Sequence, residues 1–180
     1  MKRKKPPQDH TAVAPDSFTA QVIGHVRSPY KERFGTPRQP TVTEQTLEDR
    51  AVDATIELLP GLNLEQALQD LAGFDYIWVL AWLHLNENWK PTVIPPRGPK
   101  VRRGLFSTRS PHRPNPIGLS ALRLLKVEGR VLHVRGIDLL DGTPVIDIKP
   151  YVPYADAFPG ARAGWLDEIG QQPEAPDRWE

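Results

Sequence analysis

The chain has 180 residues, 39% of them hydrophobic and 25% charged, a formal net charge of +1 and no cysteine. One globular domain of this length buries a core without staples, and the missing cysteines exclude disulfides, thiolate zinc sites and cysteine nucleophiles. The longest apolar run, residues 77–83, is too short to span a bilayer. The basic cluster Lys2, Arg3, Lys4, Lys5 leads into Pro6, Pro7, Gln8 and Asp9 rather than the apolar stretch of a secretory signal, so a cytoplasmic location is expected.

Residues 1–17 are charged and proline-containing without apolar periodicity, which predicts a disordered basic tail. "FTAQVIGHV" (18–26) sets Phe18, Ala20, Val22 and Val26 at period two, a strand signature, and "RSPYKERFGTPRQP" follows as a long loop. "AVDATIEL" alternates Val52, Ala54, Ile56 and Leu58 with Asp53, Thr55 and Glu57, a strand with one wet face that Pro60 and Gly61 end. Leu64, Ala67, Leu68 and Leu71 follow helical spacing, with Asn63 as N-cap, Gln66 three residues on and Gly73 as the stop. "FDYIWVLAWLHL" (74–85), apolar on both faces, predicts a central strand buried on both sides. Residues 86–103, with Pro91, Pro95, Pro96 and Pro99, exceed what a compact domain spends on a passive connection.

"IGLSALRLLKV", "RVLHVRGIDLL" and "PVIDIKPY", separated by Glu128-Gly129 and Asp141-Gly142, predict an antiparallel meander. The pattern as a whole predicts an all-β fold: a small single-domain β-barrel of mostly antiparallel strands over 18–157, with one short helix and a C-terminal tail over 158–180. Without strand–helix alternation or a G-x-G-x-x-G turn, a Rossmann fold is not expected.

The five histidines show no close paired spacing, so no metal site is expected, and no G-x-S-x-G elbow supports a serine hydrolase. Residues 88–127 contain nine basic residues and no acidic one, the footprint of a phosphate-binding surface or else a solvated basic face. Within that block, "FSTRSPHRPNPIGLS" (106–120) carries Pro111, Pro114 and Pro116. Each fixes its own φ and pushes Ser110, Arg113 and Asn115 toward extended conformations. A loop so restrained loses little entropy on binding, and Arg109 and Arg113 offer forked donors suited to carboxylate or phosphate.

"GHVRSPYKERFGTPRQP", "DYIWVLAWLHLN", "GLFSTRSPHRPNPIGLS" and "DLLDGTPVIDIKPYVPYADA" together, in this order between residues 22 and 157, resemble the TsaA-like family. That resemblance implies a small β-barrel that binds S-adenosylmethionine, forms homodimers, and methylates N6 of the threonylcarbamoyladenosine (t6A) next to the anticodon of certain tRNAs. It implies cofactor contacts at Arg38, Gln39, Pro40, His84, Arg109, Leu119, Ile137 and Asp138. An RNA-facing set of Tyr30, Lys31, Arg33, Phe34, Arg102, Arg103 and Arg113 is expected, because a single-stranded loop is held by stacking and phosphate contacts. Asp138, Asp147, Lys149 and Tyr151 are the candidates for handling the proton that the acceptor nitrogen loses. A cofactor-binding module with another substrate and a non-catalytic RNA-binding barrel are the alternatives. Longer family members continue past the barrel, whereas about thirty residues follow "DIKPY" here, which weakens transfer of their tRNA-binding mode.

Overall fold

The computed structural model describes residues 15–32, 35–37, 51–96 and 98–169. Six strands close into an antiparallel barrel: β1 (Gly24–Arg27), β2 (Asp53–Leu58), β3 (Tyr76–Trp82), β6 (Ile117–Glu128), β7 (Val131–Arg135) and β8 (Pro144–Pro150), in the order β1-β2-β7-β6-β3-β8. Two short strands, β4 (Thr92–Val93) and β5 (Arg103–Gly104), pair as an arm outside it. The inward residues alternate along β1, β2, β3 and β7 and along β6 as far as Leu124, and Val26, Ile56, Ile77, Val79, Leu122, Leu132, Val134 and Val145 are all fully enclosed. Tyr30 and Ile137 join the same core from the loops.

Several expectations are corrected. The first strand starts at Gly24 rather than Phe18, and Phe18, Thr19 and Ala20 are exposed without strand pairing. Here the approach of β1 to β2 is close: a Cβ on Gly24 would lie 2.6 Å from the Glu57 carbonyl oxygen and 2.9 Å from Leu58 Cδ2. The expected helix over 64–73 is split into α1 (Leu64–Ala67) and a 3₁₀ turn (Leu71–Gly73), because Asp70 takes a positive φ of 64° between them. Asn63 is itself left-handed and caps no backbone N–H; its side-chain amide donates to Gln66 Oε1 at 2.7 Å. A second short helix, α2 (Pro153–Asp156), starts on a proline, whose fixed φ and missing N–H suit a helix's first turn.

β3 is buried on one face only. A closed barrel has a single interior, so Ile77, Val79 and Ala81 are enclosed while Tyr76, Trp78 and Leu80 are half-covered and Trp82 is exposed. The expected three-strand meander also fails at its second turn. β7 is already flanked by β6 and β2, so the chain leaves it at Gly136, runs across to Thr143, and inserts β8 between β1 and β3. Gly142, at φ 74°, belongs to this crossover, and its amide donates to the Val26 carbonyl at 2.8 Å.

No helix among the described residues is long and apolar enough to cross a membrane. Gly24→Ala is expected to destabilise the fold by about 1–3 kcal/mol through overpacking, seen as a lower urea midpoint. An unchanged midpoint would show that β1 and β2 separate at little cost.

Candidate cofactor and nucleic-acid site

Ser120 is the one polar residue at an inward position of β6 between Ile117 and Leu124, directly opposite Val79. Its hydroxyl, almost wholly enclosed, donates to Asp138 Oδ1 at 2.6 Å. Asp138 lies in the crossover just after the core residue Ile137, and its carboxyl sits deep among protein atoms although part of the residue's surface stays accessible. Burial pushes that carboxyl up to about 6; the Ser120 hydrogen bond, a backbone hydrogen bond and the Arg109 guanidinium each pull the other way. Arg109, exposed on the proline-rich loop, thus acts on the Asp138 carboxyl through its charge.

A second group of the expected residues lies on the outer surface. Leu119, 50% exposed, pairs with Leu80, and Ile117 pairs with Trp82, which is 47% exposed. His84 packs edge-on against Trp82 with ring centroids 5.9 Å apart. Strand alternation sets Leu119 and Ser120 on opposite faces, so His84 and Leu119 are not brought beside Asp138 within one chain. Ile137 is fully enclosed in the core and presents no side-chain wall. Arg38, Gln39 and Pro40 lie outside the described residues, as do Arg33 and Phe34.

The other proton-handling candidates are separated from Asp138. Asp147 and Lys149 form a 2.7 Å ion pair on the outer face of β8, opposite Leu80 and Trp78, and Asp147 also accepts from the Ile148 amide. Tyr151 packs on Trp78 and Tyr76, with centroids 5.4 Å and 6.1 Å away.

Of the RNA-facing set, Tyr30 is corrected: its ring is completely enclosed, because Ser28 and Tyr30 turn inward where Ser28 Oγ donates to the Leu139 carbonyl at 2.9 Å. Lys31 is exposed but ion-paired to Asp141 at 2.6 Å, and its hydrogen bond holds that carboxyl below its usual range. Arg102 is exposed. Arg103 stacks on Trp165 at 5.2 Å and lies 3.5 Å from Glu168. Both partners come from the turn Gly164–Ile169, whose Trp165 indole also donates to the Ser107 carbonyl at 2.8 Å. Arg113 donates to the Thr108 carbonyl at 3.0 Å and lies over the Phe106 ring at 5.4 Å, so it braces its own loop.

Residues 25–157 match the family model of the tRNA-methyltransferase O N-terminal domain. The chain belongs to that family. It is 41% identical over 156 residues to an Escherichia coli K12 tRNA (adenine(37)-N6)-methyltransferase, covering 83% of this chain and 64% of that protein. It is 41% identical over 143 residues to a Rattus norvegicus protein of the same name, covering 78% and 32%. A Methanothermobacter thermautotrophicus relative named "Probable S-adenosyl-L-methionine-binding protein" is 44% identical, covering 76% of this chain and 91% of that one. Among solved structures, TrmO from Pseudomonas aeruginosa aligns at a TM-score of 0.68 and 39% identity over 87% of this chain and 65% of that one. The chain thus spans under two thirds of the length of the bacterial methyltransferases it matches.

Sequence reasoning missed Ser120 and Trp82 in this family member. Ser120 was discoverable, since it interrupts an apolar alternation in phase with Leu122 and Leu124. For Asp138 the sign of the pH effect follows from its raised value: the folded state holds the proton more tightly than the unfolded chain. Its ionisation therefore subtracts stability as pH rises from about 4 through 6, by on the order of 3 kcal/mol once complete. Asp138→Asn is expected to melt higher than the parent at pH 8 and to lose that advantage below pH 4. Parallel melting curves across that range would place the carboxyl in water.

Proposed function

We propose that the chain is the catalytic barrel of an S-adenosylmethionine-dependent methyltransferase that acts on N6 of t6A at position 37 in the tRNA anticodon loop. The observation that carries this reading is the Asp138 carboxyl, enclosed, bonded by Ser120 and under the charge of Arg109, in a domain whose relatives are named for adenine(37)-N6 methylation. The residues fit parts of the cofactor's chemistry: Arg109 matches a carboxylate, while exposed Leu119 and Trp82, on the opposite face of the sheet from Ser120 and Asp138, would offer a wall for a flat apolar ring from a second copy. When bound, the cofactor supplies an electrophilic methyl group on a sulfonium.

The chain's own contribution is position and proton handling. Arg109, one residue before the proline-restrained stretch that starts at Ser110, holds an anionic group from a stiff loop with little entropy to lose. Asp138 accepts the proton that N6 gives up as its new bond to carbon forms, and a carboxyl near 6 is both mostly ionised at neutral pH and basic enough for that task. Holding the acceptor nitrogen in line supplies the rest of the acceleration, with no covalent intermediate.

The reading includes a homodimer and a cytoplasmic location. Leu80, Trp82, Ile117 and Leu119 form an apolar ridge that a single copy leaves open, and a second copy laid on it covers the ridge and adds its surface to His84 and Leu119. The cytoplasm is where the tRNA pool is found.

Labelled S-adenosylmethionine incubated with tRNA bearing or lacking the threonylcarbamoyl group is expected to label only the modified tRNA. Label in neither, with cofactor bound in calorimetry, favours the binding-module reading suggested by the Methanothermobacter relative's name. Arg109→Ala is expected to weaken cofactor binding by about 1.5–3 kcal/mol, the worth of a hydrogen bond to a charged group. Unchanged affinity removes Arg109 from the site.

A further inference from the structure

We propose that the Phe106 ring is a stacking platform for an unpaired RNA base, held in place by the Arg113 guanidinium. Phe106 is 78% exposed, while its neighbour Leu105 is buried at 2%. A ring left so open forgoes the gain of burial, and single exposed apolar residues are ordinary on protein surfaces. What separates Phe106 from these is the rigidity of its mounting.

Leu105 anchors the segment, and its carbonyl accepts from Thr108 Oγ1 at 2.8 Å. Ser107 Oγ donates to the Gly104 carbonyl at 2.8 Å, and the Ser107 carbonyl takes the Trp165 indole proton. Arg113 completes the frame: one guanidinium nitrogen donates to the Thr108 carbonyl at 3.0 Å while its carbon stands 5.4 Å from the Phe106 centroid. The ring is therefore fixed in an outward pose, with one side toward a cation.

The surroundings select the occupant. Lys90, Lys100, Arg102 and Arg109, on the segments that precede and follow Phe106, are exposed, and cations there draw a polyanion even though Arg103 is paired with Glu168. Trp89, itself half-exposed, adds a second aromatic next to the Asn88 carbonyl that His112 Nδ1 contacts at 3.0 Å. Cations that follow a phosphate backbone, interleaved with rings that take its bases, are the means by which single-stranded nucleic acid is held without base-edge readout. A duplex keeps its bases stacked on each other and offers no free face to the ring, so the occupant is a loop base.

The inference rests on the reading of the chain as acting on tRNA, and the test separates the two. The full chain is titrated with an RNA hairpin whose loop carries 2-aminopurine at successive positions, followed by anisotropy and by the quenching that stacking produces. Phe106→Ala is expected to weaken binding about ten- to a hundredfold, the worth of one stacked base. It is also expected to abolish quenching at one loop position and leave the salt slope unchanged. Phe106→Trp restores affinity and quenching, and Phe106→Leu does not. By contrast, Arg102→Ala lowers the salt slope by about one while quenching persists. Equal affinity of Phe106→Ala and parent, persistent quenching, or full function of Phe106→Leu overturns the platform while leaving the tRNA reading intact. Conversion of Phe106→Ala from dimer to monomer in sedimentation also overturns it, by assigning the ring to a second copy. If the parent binds no RNA, the tRNA reading fails first and the platform with it.

Discussion

Closure of a six-stranded barrel is the constraint on which the rest of the molecule depends. With every strand paired on both sides, no sheet edge remains, and only one small interior exists to be filled. β8 makes the closure by entering between β1 and β3, and the price of that topology is the crossover from Gly136 to Thr143. The crossover is also where Asp138 sits. A residue directly after the enclosed Ile137, in a segment that must pass the barrel rather than run along its surface, has its carboxyl drawn inward. The perturbed acid is thus a consequence of strand order as well as of its neighbours.

A closed barrel must also present an outer face to something, and the two halves of this one differ. On β1, β2 and β7 the outward face carries ion pairs: Arg27 with Glu57 at 2.9 Å, and Arg135 with both oxygens of Asp53 at 2.6 Å and 3.0 Å. Exposed pairs of this kind add little stability and suit contact with water. On β3 and β6 the corresponding positions hold Leu80, Trp82, Ile117 and Leu119. No requirement of the interior put apolar side chains there, since the interior takes the alternate residues. The asymmetry leaves one half of the barrel clothed in charge and the other with apolar side chains exposed.

Strand alternation was legible where one face is wet, and β2 lies within the stretch that "AVDATIEL" predicted. It misled at β3, where apolar residues on both faces look like a double-sided core strand, although only Ile77, Val79 and Ala81 face inward. Composition reports that a side chain avoids water but not whether its own chain or another one covers it. The Asp141-Gly142 pair misled for a related reason: its backbone is turn-like, but which strand follows depends on which edges are still open. The helix failed at Asp70, which adopts a positive φ; aspartate tolerates that region better than most residues, but the preference is too weak to mark a break inside a helical period. Asp138 was named from resemblance, and its partner Ser120 was readable as a polar break in an apolar period.

The proline-rich loop shows how far local chemistry carries. Its two arginines look alike in sequence, both forked donors suited to an anion, although only Arg113 lies between two prolines and Arg109 precedes the first. The fold gives them different work. Arg113 spends its donors on carbonyls of its own loop and its charge on a ring, so stiffness comes from this arginine as much as from the prolines. Arg109 is exposed on the same loop, and its charge weakens the hold of the enclosed Asp138 carboxyl on its proton. A preset loop carrying one bracing and one acting arginine reconciles two demands that a flexible loop cannot meet together: a fixed pose toward the ligand and a guanidinium still available to bind it.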